Sequence, residues 1–167
     1  MRRATDAVGH RKPVFCVLGA FGKESAEELR AAAYIALTHD ARGLMWYAWK
    51  ENDTVGLKYN DTLREAMQRL LADIKTLTPA LTAPVRRPFV RNKQVHAIVC
   101  SDGTNVTLLA VNPTKGEAVM PPVDEVPEFD GRTPEPLLGG PAYTEPLQPF
   151  ETRAYRCAVP AAAPRRR

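Results

Sequence analysis

Arg42-Gly-Leu-Met-Trp-Tyr-Ala-Trp-Lys-Glu51 is the stretch whose reading decides the fold. It is apolar from Leu44 to Trp49, too short for an ordinary helix, and carries two tryptophans and a tyrosine, which favour a strand. In a strand, Met45, Tyr47 and Trp49 share one face and Leu44, Trp46 and Ala48 the other. Both faces are apolar, and helical patterns flank the segment. That combination predicts a buried parallel strand in an α/β fold.

The same unit occurs once upstream. Val14 to Leu18 is a continuous apolar run and reads as a buried strand, ended by Gly19-Ala-Phe-Gly22. Ser25-Ala-Glu-Glu28 is a capping box, and Leu29, Ala32, Ala33, Ala36 and Leu37 then lie on one helical face. A helix is predicted over 26–38, with Gly43 turning the chain into the aromatic strand. After a polar loop over 51–60, Asp61-Thr62 can cap a second helix. Its stripe is Leu63, Met67, Leu70, Ile74, Leu77 and Leu81, and it should stop at Leu77, before Pro79.

Most of the 15 prolines follow residue 78. The proline-bearing stretch 78–88 marks a boundary between residues 12–82 and residues 83–157. Beyond it, 95–99 and 106–111 read as strands joined by a turn containing Asp102-Gly103. A third short strand is expected over 117–120 and a closing strand over 152–157, with mostly loop over 121–149. The sum is a small antiparallel sheet or β-sandwich of four to six strands, and the sandwich is taken as the expectation. Residues 1–11 read as a disordered leader and 158–167 as a tail.

Bulk properties narrow the function. The chain is 44% hydrophobic and 25% charged, an ordinary balance for a soluble globular protein. The net charge of +4 is concentrated in terminal arginines, which argues against nucleic acid as a partner. No apolar run is long enough to span a membrane, and Val14 to Phe21 lacks the cleavage site of a signal peptide. Location stays open. Three cysteines, Cys16, Cys100 and Cys157, show no metal or redox spacing, and Cys16 reads as a small core residue. His10, His39 and His96 are far apart and read as surface or strand residues. No phosphate loop, zinc pattern or nucleophile elbow is present, and no cofactor is expected.

The order of elements, together with particular segments, resembles a known arrangement. The segments are Lys12-Pro-Val-Phe-Cys-Val-Leu-Gly-Ala-Phe21, Glu28-Leu-Arg-Ala-Ala-Ala-Tyr-Ile-Ala-Leu37, Ala41-Arg-Gly-Leu-Met-Trp-Tyr-Ala-Trp49, Leu108-Leu-Ala-Val-Asn-Pro113 and Phe150-Glu-Thr-Arg-Ala-Tyr-Arg156. They resemble the C-terminal end of a (β/α)8-barrel glycoside hydrolase of β-galactosidase or agarase type, followed by its β-sandwich. The resemblance implies a partial TIM barrel, the last two βα units, with a carbohydrate partner. It also implies that strands one to six lie elsewhere, since a barrel takes about 250 residues. The chain is then a fragment, inactive alone, with an unpaired strand edge open to self-association.

Glycoside hydrolysis uses two carboxylates at the C-terminal ends of barrel strands. The resemblance places Glu24 and Glu51 nearest to that position. Each also has a plainer reading, Glu24 as an acid at a helix entry and Glu51 as a charged loop residue. Trp49 is the best site candidate. The resemblance makes it the floor beneath a sugar; its plainer reading is a core tryptophan. Phe21 and Lys50 are its mouth-facing neighbours, Tyr47 belongs to the barrel interior, and Trp46 packs on helices. The alternative to an enzyme fragment is a non-enzymatic carbohydrate-binding or protein-interaction module.

Overall fold

The structure is a computed structural model, and it describes residues 2–9, 12–50 and 56–159. Its first unit forms around the capping box. The Ser25 hydroxyl accepts from the Glu28 amide at 3.1 Å, and the Glu28 carboxylate accepts from the Ser25 amide at 2.9 Å. Helix α2, Ala26–Thr38, starts there. It links strand β1, Phe15–Gly19, to strand β2, Gly43–Tyr47. The two strands are parallel and in register, Val17 opposite Met45 and Leu18 opposite Trp46. β2 stops two residues short of Trp49. A further helix, α1, covers Arg2–Ala7, where the sequence suggested a disordered leader.

Helix α3, Asp61–Leu81, is capped one residue earlier than expected, by the Asn60 side chain accepting from the Leu63 amide at 3.0 Å. It also runs through Pro79 instead of stopping before it. Proline costs a helix an N–H. Here it falls in the last turn, where threonine hydroxyls supply extra donors: Thr78 to the Ile74 carbonyl at 2.9 Å and Thr82 to the Thr78 carbonyl at 2.8 Å.

At residues 82–84 the chain turns into a five-stranded antiparallel sheet: β3 Val85–Arg91, β4 Val95–Ser101, β5 Asn105–Val111, β6 Glu135–Pro136 and β7 Thr152–Ala158, in the order β3-β4-β5-β7-β6. The sequence reading placed 85–88 within the boundary stretch 78–88, because that stretch holds three prolines and no repeat pattern. An edge strand tolerates a proline, since one side of its ladder has no neighbour to bond.

The sandwich is corrected to a single sheet whose second face is covered by loops. Alternation along the strands separates the two faces. Val95, Ala97, Val99, Val106, Leu108, Ala110 and Tyr155 pack under the loops, against Met120, Val126, Phe129, Tyr143 and Leu147. The short strand expected over 117–120 is one isolated bridge, Ala118 to Leu147. Asn112 is fully buried and ties this layer down. Its amide donates to the carbonyls of Gly116 at 2.7 Å and Gln148 at 3.0 Å, and its oxygen accepts from the Thr114 amide at 3.0 Å.

The other face packs on helices. Ala31, Ala33 and Tyr34 of α2 and Leu70 and Leu77 of α3 form one cluster with Ile98, Cys100, Leu109, Val111 and Ala154 of the sheet. The units on either side of residues 82–84 therefore share a core. α2 is central to it, buried at Leu29, Ala31, Ala33, Tyr34, Ala36 and Leu37, which is more of its circumference than the single predicted face.

The expectation that β1 and β2 are buried on both faces is corrected. Leu18, Leu44 and Trp46 pack against the helices. Phe15, Val17, Met45 and Tyr47 point away from them and are exposed by 62, 63, 56 and 55%. Cys16 is half-buried rather than a core residue.

Leu109→Ala empties a site in the shared cluster and should cost about 2–5 kcal/mol. In urea melts, the far-ultraviolet signal and tryptophan fluorescence should shift together to a lower midpoint. A shift in one signal alone would mean that helices and sheet unfold separately.

Candidate functional site

The C-terminal ends of β1 and β2 lie side by side and carry the predicted residues. The Ala20 amide donates to the Tyr47 carbonyl at 2.6 Å, continuing the parallel ladder beyond Gly19. Residues 56–58 then bind across both strand ends. Gly56 donates to the Phe21 carbonyl at 3.2 Å, Leu57 to Ala48 at 3.2 Å and Lys58 to Trp49 at 2.9 Å. Gly56 has φ +122°, and a Cβ there would stand 2.7 Å from the Trp49 carbonyl oxygen. Only glycine fits that approach.

Aromatic side chains collect at this end. The rings of Phe21 and Tyr47 meet edge to face, 5.9 Å apart at 71°. Gly19 makes this possible, since a Cβ on it would lie 2.7 Å from the Phe21 ring. Trp49 is 60% exposed, so the described elements do not bury it in a core. Lys50 beside it is also exposed. Trp46 lies on the helix side and touches two apolar clusters, as the alternation implied. Sequence reasoning missed Lys58 and Tyr59. They lie in a 3-10 turn, Leu57–Tyr59, within a loop of no periodicity, and the Lys58 ammonium stands 5.5 Å from the Tyr59 ring centre. The amide bond from Lys58 to Trp49 brings this turn to the same rim.

Glu24 has a structural occupation. Its carboxylate accepts from the amides of Gly22 and Lys23, both at 3.1 Å, and of Phe21 at 3.5 Å. It closes the β1–α2 turn, and the Asn60 amide braces that turn from α3 by donating to the Gly22 carbonyl at 3.2 Å. Asp61, the acid that opens α3, is ion-paired with Arg64 at 2.5 Å. Glu51 lies outside the described residues. Among the described residues, no group of three or more His, Cys, Asp or Glu side chains could hold a metal ion. No described helix is long and apolar enough to cross a membrane.

One sequence reading away from this rim is revised, the placing of His39 at the surface. His39 and His96 meet, with ring nitrogens 2.7 Å apart at the junction of α2 and the sheet. No sequence signal links residues so distant. Cys100 and Cys157 are both buried but free, and they lie in the clusters on opposite faces of the sheet.

No protein-family model matches the chain, and no curated protein sequence matches it. Solved structures do. Trehalulose synthase MutB, as its R284C mutant, aligns with a TM-score of 0.61 at 16% identity, over 93% of this chain and 45% of that one. AmyP in complex with maltose gives 0.59 at 17%, over 78% and 34%. The α-amylase of Geobacillus thermoleovorans, complexed with acarbose, gives 0.58 at 12%, over 85% and 38%. At such identities the likeness is one of fold. The neighbours are barrel glycoside hydrolases with a C-terminal β domain, and the chain is similar in fold to part of them. These neighbours are amylase-type enzymes, and none of the three is a β-galactosidase or agarase. The chain spans between a third and a half of their lengths.

Glu24→Ala should lower stability by about 1–2 kcal/mol, the loss expected when charge-assisted amide bonds are removed. Trp49→Ala should change it by no more than about 0.5 kcal/mol, as for a surface residue. Urea denaturation of both variants checks the ranking. A larger loss from Trp49→Ala would mean that the indole is a structural prop.

Proposed function

We propose that the chain is the C-terminal part of a carbohydrate-acting barrel glycoside hydrolase. Residues 12–82 form the last two βα units of the barrel and residues 83–157 its β domain. The observation that carries this reading is the one-sided burial of β1 and β2. Two parallel strands have their helices on one face, while an apolar face of Phe15, Val17, Met45 and Tyr47 stands open. That is the division between outside and inside of a barrel. The fold likeness to amylase-type enzymes supports it independently.

In this reading the strand ends form part of a sugar site. Trp49 offers its indole face to the apolar face of a pyranose, Phe21 and Tyr47 extend that surface, and Lys50 donates to hydroxyl oxygens. The catalytic pair is not completed here, because the Glu24 carboxylate already caps three amides. Maltose and acarbose, bound by neighbours of the same fold, make α-glucosides the first substrates to test, ahead of the β-galactosides that the sequence resemblance suggested. The exposed aromatic rim with its occupied carboxylate also suits the second reading, a carbohydrate-binding module without catalysis.

Chromogenic α-glucosides and β-galactosides should be left intact by the isolated chain. They should be cleaved by a longer polypeptide that includes any in-frame coding sequence upstream, with Trp49→Ala raising KM about tenfold, as loss of one stacking surface implies. Turnover by the isolated chain would contradict the reading. Sugar binding by the chain alongside an inert longer polypeptide would establish the binding module instead.

The open face and the free strand edges should also make the isolated chain self-associate. Sedimentation velocity should show oligomers that Val17→Lys with Met45→Lys returns to monomer. A monodisperse wild-type monomer at high concentration would count against an open barrel face.

A further inference from the structure

The C-terminal end of α2 meets the sheet through an imidazole pair. His39 is the C-cap of α2, and His96 lies on β4. Nε2 of His39 is 2.7 Å from Nδ1 of His96, and the rings cross edge to face at 88°, 5.0 Å apart. His39 is buried and His96 half-buried. A contact this short between two ring nitrogens requires one N–H and one lone pair. At least one ring must therefore be neutral. Two imidazolium rings in this arrangement would set N–H against N–H at hydrogen-bond distance, with little water to screen the charges.

We propose that His39 and His96 form a proton-gated latch between the helical layer and the β-sheet, closed while the rings share a hydrogen bond and released when both become cationic. The surroundings oppose the second proton. One oxygen of Asp40 accepts from Arg86 Nε at 2.8 Å and faces Arg42 Nε at 3.6 Å. Two guanidinium groups thus share the carboxylate of the residue that follows His39. The Cys100 thiol, on the same sheet face as His96, is neutral, because burial pushes it up to about 12. Opposite His96 stand Val90 of β3 and Val111 of β5, neither of which titrates.

Burial also holds His96 below the ordinary histidine value of 6.5. The unfolded chain then binds more protons than the folded one as pH falls through that value. The latch contributes its full stability above about pH 6.5 and loses it progressively below. Other ties across the junction are Arg86 with Asp40 and Arg30 with Thr152. The histidine pair is the tie among these that carries imidazole rings.

Cys100 reports on the junction, because it is buried in the cluster shared by the helices and the sheet. The test uses the full chain with Cys16→Ser and Cys157→Ser. Labelling by a dithiodipyridine is measured at about pH 7.5 and about pH 5. Each rate is divided by that of the urea-unfolded chain at the same pH, which removes the effect of thiol ionisation. Protection of Cys100 should fall about tenfold on acidification, the loss expected when one such contact is released. His96→Gln, which keeps a hydrogen-bonding amide but cannot become charged, should abolish the fall. Nuclear magnetic resonance of the imidazole nitrogens should show the pair taking up its second proton at the midpoint of that loss. Unchanged protection at both pH values would overturn the proposal, as would an undiminished fall in His96→Gln. So would two rings titrating independently near 6.5 while Cys100 stays protected. The wild-type titration decides the matter even where a substitution loosens the fold.

Discussion

A strand whose side chains are apolar on both faces needs two coverings. β1 and β2 have one. Leu18, Leu44 and Trp46 are packed under α2 and α3, while Phe15, Val17, Met45 and Tyr47 face away from every helix of the unit. Burying a single large apolar side chain is worth about 1.5–3 kcal/mol, so covering these four would stabilise the unit by several times that. The site at the strand ends inherits its geometry from this pair. The ladder of β1 and β2 sets Phe21 beside Tyr47 and brings Trp49 to the rim, and the 56–58 segment fixes both ends by backbone bonds.

What lets two parallel strands stand without a closed sheet is α2. It packs on β1, α3 and the large sheet, so it holds the strand pair from behind. Small side chains at Ala31, Ala33 and Ala36 allow the close approach, and Tyr34 fills the centre with no exposure. Arg30 completes the contact. Its guanidinium binds Asp73 of α3, the Tyr34 hydroxyl and Thr152 of β7, and so fastens three elements at one point. The β domain acts as a structural backing for the helical layer, since Ile98, Leu109 and Val111 belong to the same core as Leu70 and Leu77.

The elements that could be read from sequence were those set by local chemistry. The Ser25–Glu28 box fixed the start of α2, alternation sorted Trp46 from Tyr47, and Asp102-Gly103 located the β4–β5 turn. Where a local signal had two physical outcomes, the reading went astray. Pro79 ends a helix unless it falls in the last turn, and Pro88 breaks a strand unless the strand is at an edge. The stretch over 121–149 reads as mostly loop from its turn-like composition, and it is mostly loop, but that composition does not show that it covers the sheet. Its core role rests on scattered residues, Phe129, Tyr143 and Leu147, which have no period to detect. At the site, the exposure of Trp49 and the amide contacts of Glu24 follow from how the two strand ends are joined. Sequence spacing carries neither, nor does it carry the meeting of His39 and His96.

The central claim is that, among the described residues, nothing covers the face of the strand pair that points away from the helices. Hydroxyl-radical footprinting of the dilute monomer tests it most directly. Met45, Tyr47 and Trp49 should be oxidised nearly as fast as in the urea-unfolded chain, while Tyr34 and Tyr155 stay protected. Protection of Met45 and Tyr47 in a proven monomer would contradict the account, because the face would then be sealed from within and no missing barrel would be needed to explain it.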